Sequence, residues 1–210
     1  MAVSGLFSLI LLSLTVVMAL AAALLLGRRR ARSLAFDVAC LLALLLTAVL
    51  FSTLAASPDD MGRAGRAVAA SWTQGDGAAE GVFGSLRSPY PGSFYTLWVG
   101  IALVLLLVAT GIGLGMTARR PRNGADPELV RVDDALRRII AEGIVAGLGV
   151  GVGGAAFAVL LVGGMDLVQL APVPLVTAAG VVSLLGAVVA LVGLIGAGVI
   201  LLVPRDGGAR

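Results

Sequence analysis

Histidine is missing from the sequence, and Cys40 is its only cysteine. A haem held by paired histidines, a structural zinc site, an iron–sulfur cluster and a disulfide within the chain all need residues that this sequence lacks. Histidine is also the commonest general base of enzymes. Cys40 lies in an apolar stretch, where a cysteine usually acts as a small buried hydrophobic residue. We therefore expect a protein that is not an enzyme and that binds no metal or cofactor.

Charge is scarce as well, and none of it comes from lysine, because all 15 basic residues are arginines. Only 13% of the residues are charged and 59% are hydrophobic, whereas soluble domains are about a quarter charged and about half apolar. The arginines flank apolar runs, which is typical of membrane topology and not of a nucleic-acid-binding surface. The composition predicts an integral membrane protein that binds no nucleic acid. Its richness in arginine and alanine favours a bacterial cell membrane.

Five apolar runs are each long enough to cross a membrane, since a helix needs about 20 residues to span the hydrocarbon core. They predict an all-α integral membrane protein with five transmembrane helices, in which residues 1–210 form a single polytopic membrane domain. The predicted spans lie approximately at residues 3–26, 34–56, 94–116, 139–164 and 173–203.

The first run is predicted to be an uncleaved membrane anchor. No positive charge precedes it, and a basic cluster follows it directly, formed by Arg28, Arg29, Arg30 and Arg32. A secretory signal peptide has the opposite polarity and a shorter apolar core. The alanine-rich stretch at residues 19–23 is compatible with a cleavage site, so removal of the run is the alternative. The arginine cluster is also suited to contact with anionic lipid.

The distribution of arginine predicts which way the helices run. Of the 15 arginines, 12 fall in residues 28–32, 119–138 and 205–210. Arginine-rich segments tend to remain in the cytoplasm. All three lie on that side only if five helices cross the membrane with the N-terminus outside and the C-terminus inside. Residues 57–93 then form an outer loop, and residues 117–138 form a cytoplasmic connection.

The outer loop carries a helix-start signal. Ser57 is a suitable N-cap, Pro58 fits the first helical position, and two acids follow near the positive end of the helix dipole. Apolar residues then recur at helical spacing, at Met61, Ala64, Val68 and Trp72. These features predict a short amphipathic helix on the outer membrane surface.

A second helix-start signal lies in the cytoplasmic connection. Asp126, Pro127 and Glu128 repeat the arrangement of cap, proline and acid. Apolar residues follow on one face, at Leu129, Val132, Leu136, Ile139 and Ile140. This helix either continues into the fourth run or turns at Gly143, and the sequence leaves both possibilities open.

The fourth and fifth runs are rich in glycine. Gly143, Gly147 and Gly151 are four residues apart, so they line one face of a helix, where another backbone can approach closely. The fifth run adds Gly186 and Gly193. We expect these two helices to pack on each other within the chain. Docking of the glycine face on another subunit is the alternative, and tolerance of glycine in a glycine-rich chain is a third possibility.

Two acidic residues lie near the cytoplasmic ends of predicted spans. Asp37 is in the second run and Glu142 is in the fourth, each about one turn from the end. A charged residue inside a span is costly and is therefore a candidate proton or cation site. Pairing with nearby arginines is the simpler explanation, and we expect it for both residues.

Two functions are consistent with these features. We expect a non-catalytic structural or accessory subunit of a larger membrane protein complex, whose partners are the lipid bilayer and either other membrane subunits or further copies of the chain. The alternative is a small oligomeric transporter or channel with Asp37 or Glu142 at its cytoplasmic mouth. A membrane enzyme is a weaker alternative, because acidic residues alone would have to perform its chemistry.

Overall fold

The computed structural model describes residues 30–74, 82–121, 126–170 and 173–203. The predicted first span at residues 3–26 lies outside these ranges, as do Arg28 and Arg29. The described part contains four α-helices and one pair of β-strands. In chain order they are α1 (Arg30–Ala55), β1 (Ala67–Gln74), β2 (Val82–Pro89), α2 (Ser93–Arg119), α3 (Pro127–Gln169) and α4 (Pro174–Leu202).

All four helices are long and apolar enough to cross a membrane. They cover the second to the fifth predicted spans. The sequence therefore located these four apolar helices, and they indicate a multi-pass membrane protein.

α3 is a single helix of 43 residues. The side chain of Asp126 caps its first turn by accepting a hydrogen bond of 2.9 Å from the backbone N–H of Glu128, and Pro127 occupies the first turn. The helix continues through Gly143 without a break, which decides the question that the sequence left open. At 1.5 Å per residue it is about 65 Å long, roughly twice the thickness of a hydrocarbon core. A substantial part of α3 therefore extends outside the membrane.

α3 is also the centre of the described bundle. α4 packs along the second half of α3, α1 packs beside both, and α2 contacts α3 through a smaller surface. The largest buried cluster includes Leu44 and Leu45 of α1, Val152 and Ala156 of α3, and Ala190 of α4. Every buried residue of α4 is alanine, glycine or serine. Small residues let helix backbones approach closely, which favours association in lipid, where apolar burial gives little net gain.

The segment that was predicted to be an outer loop contains a β-hairpin where the sequence predicted an amphipathic helix, and the prediction of that helix is wrong. β1 and β2 pair antiparallel, from Ala67 opposite Pro89 to Gln74 opposite Val82. The residues before β1 form turns. Ser57 and Ala67 exchange two backbone hydrogen bonds of 2.7 and 3.2 Å, which extend the hairpin towards the end of α1.

The helix-start signal fails for two reasons. Oδ1 of Asp59 accepts hydrogen bonds from the backbone N–H groups of Met61 and Arg63, at 3.0 and 2.8 Å, so this acid caps a tight turn. Gly62 and Gly65 then adopt positive φ angles of 76° and 71°, which glycine tolerates and an α-helix does not. Pairing with β2 supplies the backbone hydrogen bonds that a local helix would otherwise have made.

Candidate functional site

The glycines at four-residue spacing in α3 have different surroundings. A Cβ atom added at Gly143 or Gly147 would meet no described heavy atom within 4 Å. One added at Gly151 would lie 2.6 Å from Cδ2 of Leu106 in α2. The face is therefore in contact with α2 at Gly151 and open, among the described residues, at its other two glycines.

Gly186 and Gly193 of α4 make room for leucine side chains of the neighbouring helices. A Cβ atom at Gly186 would lie 3.3 Å from Cδ1 of Leu160 in α3 and 3.8 Å from Cδ1 of Leu44 in α1. At Gly193 it would lie 2.8 Å from Cδ2 of Leu41 in α1. Both glycines therefore position α1 against α4.

A particularly tight backbone contact between helices involves Gly164 and Gly180, two residues that the sequence interpretation did not select. A Cβ atom at Gly180 would lie 2.8 Å from the backbone nitrogen of Val168 and 2.9 Å from the carbonyl oxygen of Gly164. Gly153 lies on the same side of α3, three turns before Gly164, and its Cβ position is 3.3 Å from Cα of Leu194. The spacing of Gly153 and Gly164 could have indicated this contact, because residues eleven apart lie on one face of a helix. The sequence offered no reason to prefer this face of α3 over the face with Gly143, Gly147 and Gly151.

Asp37 lies in an apolar groove between α1 and α4, which we call the α1/α4 groove. The groove has a volume of about 450 Å³ and begins near the first turns of α1. Asp37 is the one carboxylate among the described residues that line it. Its lining on α1 consists of Leu34, Asp37, Val38, Cys40, Leu41 and Leu44.

Glu142 has a different environment from Asp37. It lies on α3, where its Oε1 is 3.2 Å from Nε of Arg138, and only 14% of its side chain is exposed. It is not one of the residues that line the α1/α4 groove. Arg30 and Arg32 of the basic cluster lie in the first turn of α1, at the end of the helix where the groove begins.

A buried polar cluster joins the hairpin to the helices. Tyr90 follows β2, is 2% exposed and packs its ring beside Gly163 of α3. Its hydroxyl group is hydrogen-bonded to Ser52 of α1, and Ser88 of β2 donates a hydrogen bond to the carboxylate of Asp166 in α3. Burial raises the pKa of Tyr90 to about 12, despite the opposing effect of Ser52. The cluster thus connects the end of β2 to α1 and α3.

α2 carries glycines on a face that the described helices leave uncovered. A Cβ atom at Gly100, Gly111 or Gly115 would meet nothing within 4 Å in the described chain. Gly100 and Gly111 are three helical turns apart and Gly115 is one turn further, so all three share one side, the α2 glycine face. A groove of about 590 Å³ begins on this side between α1 and α2, where the hydroxyl oxygens of Thr53 and Thr96 are 3.3 Å apart.

The described ranges contain no group of three or more histidine, cysteine, aspartate or glutamate side chains that could hold a metal ion. The features that stand out are therefore surfaces: the α1/α4 groove, the α2 glycine face and the first turns of α3. No protein-family model, curated protein or solved structure matches this chain.

Proposed function

We propose that the chain is a non-catalytic structural or accessory subunit of a larger protein complex in the cell membrane. The observation that carries this proposal is an apolar stripe on the first turns of α3. The stripe residues repeat at intervals of three and four, as in the seam of a coiled coil, and each is between 44% and 64% exposed. They are Leu129, Val132, Leu136 and Ile139, which we call the α3 stripe.

Most of the α3 stripe projects beyond the end of α2. Nη2 of Arg137 donates a hydrogen bond of 2.6 Å to the carbonyl oxygen of Arg120, which directly follows α2. The ten residues of α3 before Arg137 therefore extend further along the axis than α2 does. They also carry exposed charged side chains, including Glu128 and Arg131, which are about three-quarters exposed. Charge of this kind indicates an aqueous environment for these turns.

An apolar stripe that is exposed to water favours binding of another apolar surface. Exposed leucine on a membrane-facing helix is unremarkable because acyl chains solvate it, but the same exposure in water costs free energy and marks interaction sites. A helix laid along the stripe buries its apolar side chains in the manner of a short coiled coil. A helix of another subunit is the occupant that we propose.

The α2 glycine face supports the same function within the membrane. Glycine destabilises an exposed helix by about 1 kcal/mol relative to alanine. In lipid, glycine repays this cost where a second backbone packs against it, as Gly164 and Gly180 do inside this chain. The most apolar stretch of α2 contains no buried residue in the described part of the chain. We propose that a transmembrane helix of a partner subunit packs on this face.

The proposed topology puts the α3 stripe in the cytoplasm. It has five transmembrane helices, including residues 3–26, with the N-terminus outside and the C-terminus inside the cell. The arginine distribution supports it, because the three arginine-rich segments then lie on one side. The hairpin would lie on the outer side.

Affinity purification in mild detergent tests the proposal. We expect wild-type chain to co-purify with other membrane proteins in fixed proportion, as measured by mass spectrometry. The double variant Val132→Ser with Leu136→Ser should lose them, because both side chains belong to the α3 stripe. The matched control is Arg131→Ser with Ala135→Ser, which has the same spacing one residue earlier and leaves the stripe intact. Retention of all partners by the stripe variant would contradict the proposal.

The alternative function, a small oligomeric transporter or channel, is favoured by the position of Asp37 in the α1/α4 groove. Under this alternative the purified chain is a homogeneous self-oligomer without foreign partners. Vesicles containing it would then show a flux of protons or cations that Asp37→Asn abolishes. Glu142 supports this alternative less, because it is paired with Arg138.

A further inference from the structure

We propose that the α1/α4 groove is the docking site of the chain's own N-terminal apolar run, residues 3–26. The inference depends on the five-span prediction and not on the subunit function. Three observations support it: the shape of the groove, the short connection between the run and α1, and the charges at the mouth of the groove.

The groove has the shape that a closely packed helix requires. On the α4 side its lining includes Gly193 and Gly196. A Cβ atom at Gly196 would meet no described heavy atom within 4 Å, so the backbone of α4 is accessible there. Such a position favours close approach of another helix in lipid.

The short connection between the run and α1 limits where the run can lie. Only three residues separate Leu26 from Arg30, where α1 begins. The four steps from Leu26 to Arg30 span at most about 14 Å, and packed helices lie 8–10 Å apart. If both helices cross the bilayer, a helix formed by residues 3–26 runs antiparallel to α1, and this connection keeps the end of the run within packing distance of α1. It meets α1 at the end where the α1/α4 groove begins.

Positions along the run can be matched to positions along the groove. The run and α1 would form an antiparallel pair joined near residue 28. A residue of the run and a residue of α1 are then at the same level when their numbers add up to about 56. Val38 and Ala197 lie at one level, because both contact the same Cβ position of Gly149, at 3.0 and 3.1 Å. The matching level of the run is about residue 18, next to the alanine-rich stretch at residues 19–23. Met18 and Ala19 would thus lie at the level of Gly196 in α4.

Charge complementarity points to the same occupant. A carboxylate in an apolar groove is costly unless a cation pairs with it. Docking of the run holds Arg28 and Arg29 of the connection at the mouth of the groove, slightly more than two turns before Asp37. Asp37 would then be an ion-pair partner in a closed contact. It would not be part of an open path for ions, which separates this inference from the transporter alternative.

Cys40 makes the proposal directly testable, because it is the only cysteine of the chain and lines the groove. Each of residues 13–20 is replaced singly by cysteine in the full-length chain, and membranes are treated with copper phenanthroline. We expect a disulfide to Cys40 within one chain, strongest near residue 16 and recurring one helical turn away. In a Cys40→Ser background, Gly196→Cys should cross-link to cysteines near residue 18.

Two controls make every outcome decisive. The pair Thr53→Cys with Thr96→Cys in the Cys40→Ser background should always cross-link, because the two hydroxyl oxygens are 3.3 Å apart. If this pair reacts and no residue of the run does, the proposal is wrong. Preferential cross-linking of a cysteine near residue 3, the level of the run that matches Thr53, to Thr96→Cys would place the run in the α1/α2 groove. Disulfides between two chains would assign the groove to a second copy, and an intact mass lacking the run would mean that it is cleaved. Each of these three results also overturns the proposal.

Discussion

At the scale of single residues, Tyr90 fixes the hairpin to the helices. Its hydroxyl group is hydrogen-bonded to Ser52, which is itself only 3% exposed. Tyr90→Phe removes this bond and leaves a buried hydroxyl group without it, which should lower the free energy of unfolding by about 1–3 kcal/mol. Thermal unfolding in detergent measures the effect. Tyr95→Phe is the matched control, because Tyr95 is half exposed, and an equal loss in both variants would contradict the assigned role.

The raised pKa of Tyr90 predicts a loss of stability in alkali. Burial raises this pKa from the ordinary value of 10.0 to about 12, so the folded state holds the phenol proton more tightly than the unfolded state. The stabilisation is complete below pH 10 and is lost as the pH rises through about 12. Between these values we expect the unfolding temperature of the wild type to fall more steeply than that of Tyr90→Phe. Parallel curves would show that Tyr90 is not the group responsible.

Gly180 has no room for even one methyl group. Its Cβ position is 2.8 Å from the backbone nitrogen of Val168, and backbone cannot move aside as a flexible side chain can. We expect Gly180→Ala to destabilise the chain by about 1–3 kcal/mol, as overpacking typically does. Gly154→Ala is the control, because its Cβ position has no described neighbour within 4 Å and alanine favours helix. Resistance to unfolding by sodium dodecyl sulfate compares the two, and equal behaviour would contradict the tight crossing of α3 and α4.

At the scale of elements, Arg137 links the end of α2 to α3. Its Nη2 donates to the carbonyl oxygens of Arg120 and Pro121, at 2.6 and 3.2 Å, while Nε donates to Asp133 at 2.8 Å. The first two bonds satisfy backbone acceptors just past a helix end, where such groups lack partners.

Arg137→Ala should therefore loosen the last turn of α2 without unfolding the bundle. We expect faster hydrogen exchange of the backbone amides at residues 115–120, measured by mass spectrometry. Arg131→Ala is the control, since Arg131 forms an exposed ion pair with Glu128, and such pairs contribute little. Unchanged exchange in Arg137→Ala would show that the hydrogen bonds from Arg137 do not stabilise the last turn of α2 in the membrane.

The elements also show where sequence patterns suffice. Long apolar runs and the cap at Asp126 act locally, so four spans and the start of α3 were predicted correctly. The hairpin was missed because β1 pairs with residues that follow it at a distance, and helical spacing within 57–73 contains no information about that pairing. The face of α3 that packs on α4, at Gly153 and Gly164, was missed because apolar residues surround the helix on all sides, so hydropathy does not identify the buried face. The projecting α3 stripe was visible as an apolar face, but its exposure depends on where α2 ends.

At the scale of the whole molecule, topology is the property to measure first. Cysteines replace Met61, before the hairpin, and Arg131, on the projecting turns of α3, each in a Cys40→Ser background. Both side chains are at least three-quarters exposed. An impermeant thiol reagent on intact cells should label the first variant and not the second, because the proposed topology puts them on opposite sides of the membrane. Equal labelling in intact cells would contradict the five-span arrangement.

The unbroken course of α3 has a mechanical consequence. A kink or a short loop at the membrane surface would let the two halves of this helix move independently. Here the turns that carry the α3 stripe and the turns that pack against α1 and α4 belong to one rod of 43 residues. A partner that tilts or rotates the projecting end therefore applies leverage to the centre of the bundle. In this way α3 would convert an encounter at its projecting end into a displacement at Gly164 and Gly180, near the opposite end of the same helix.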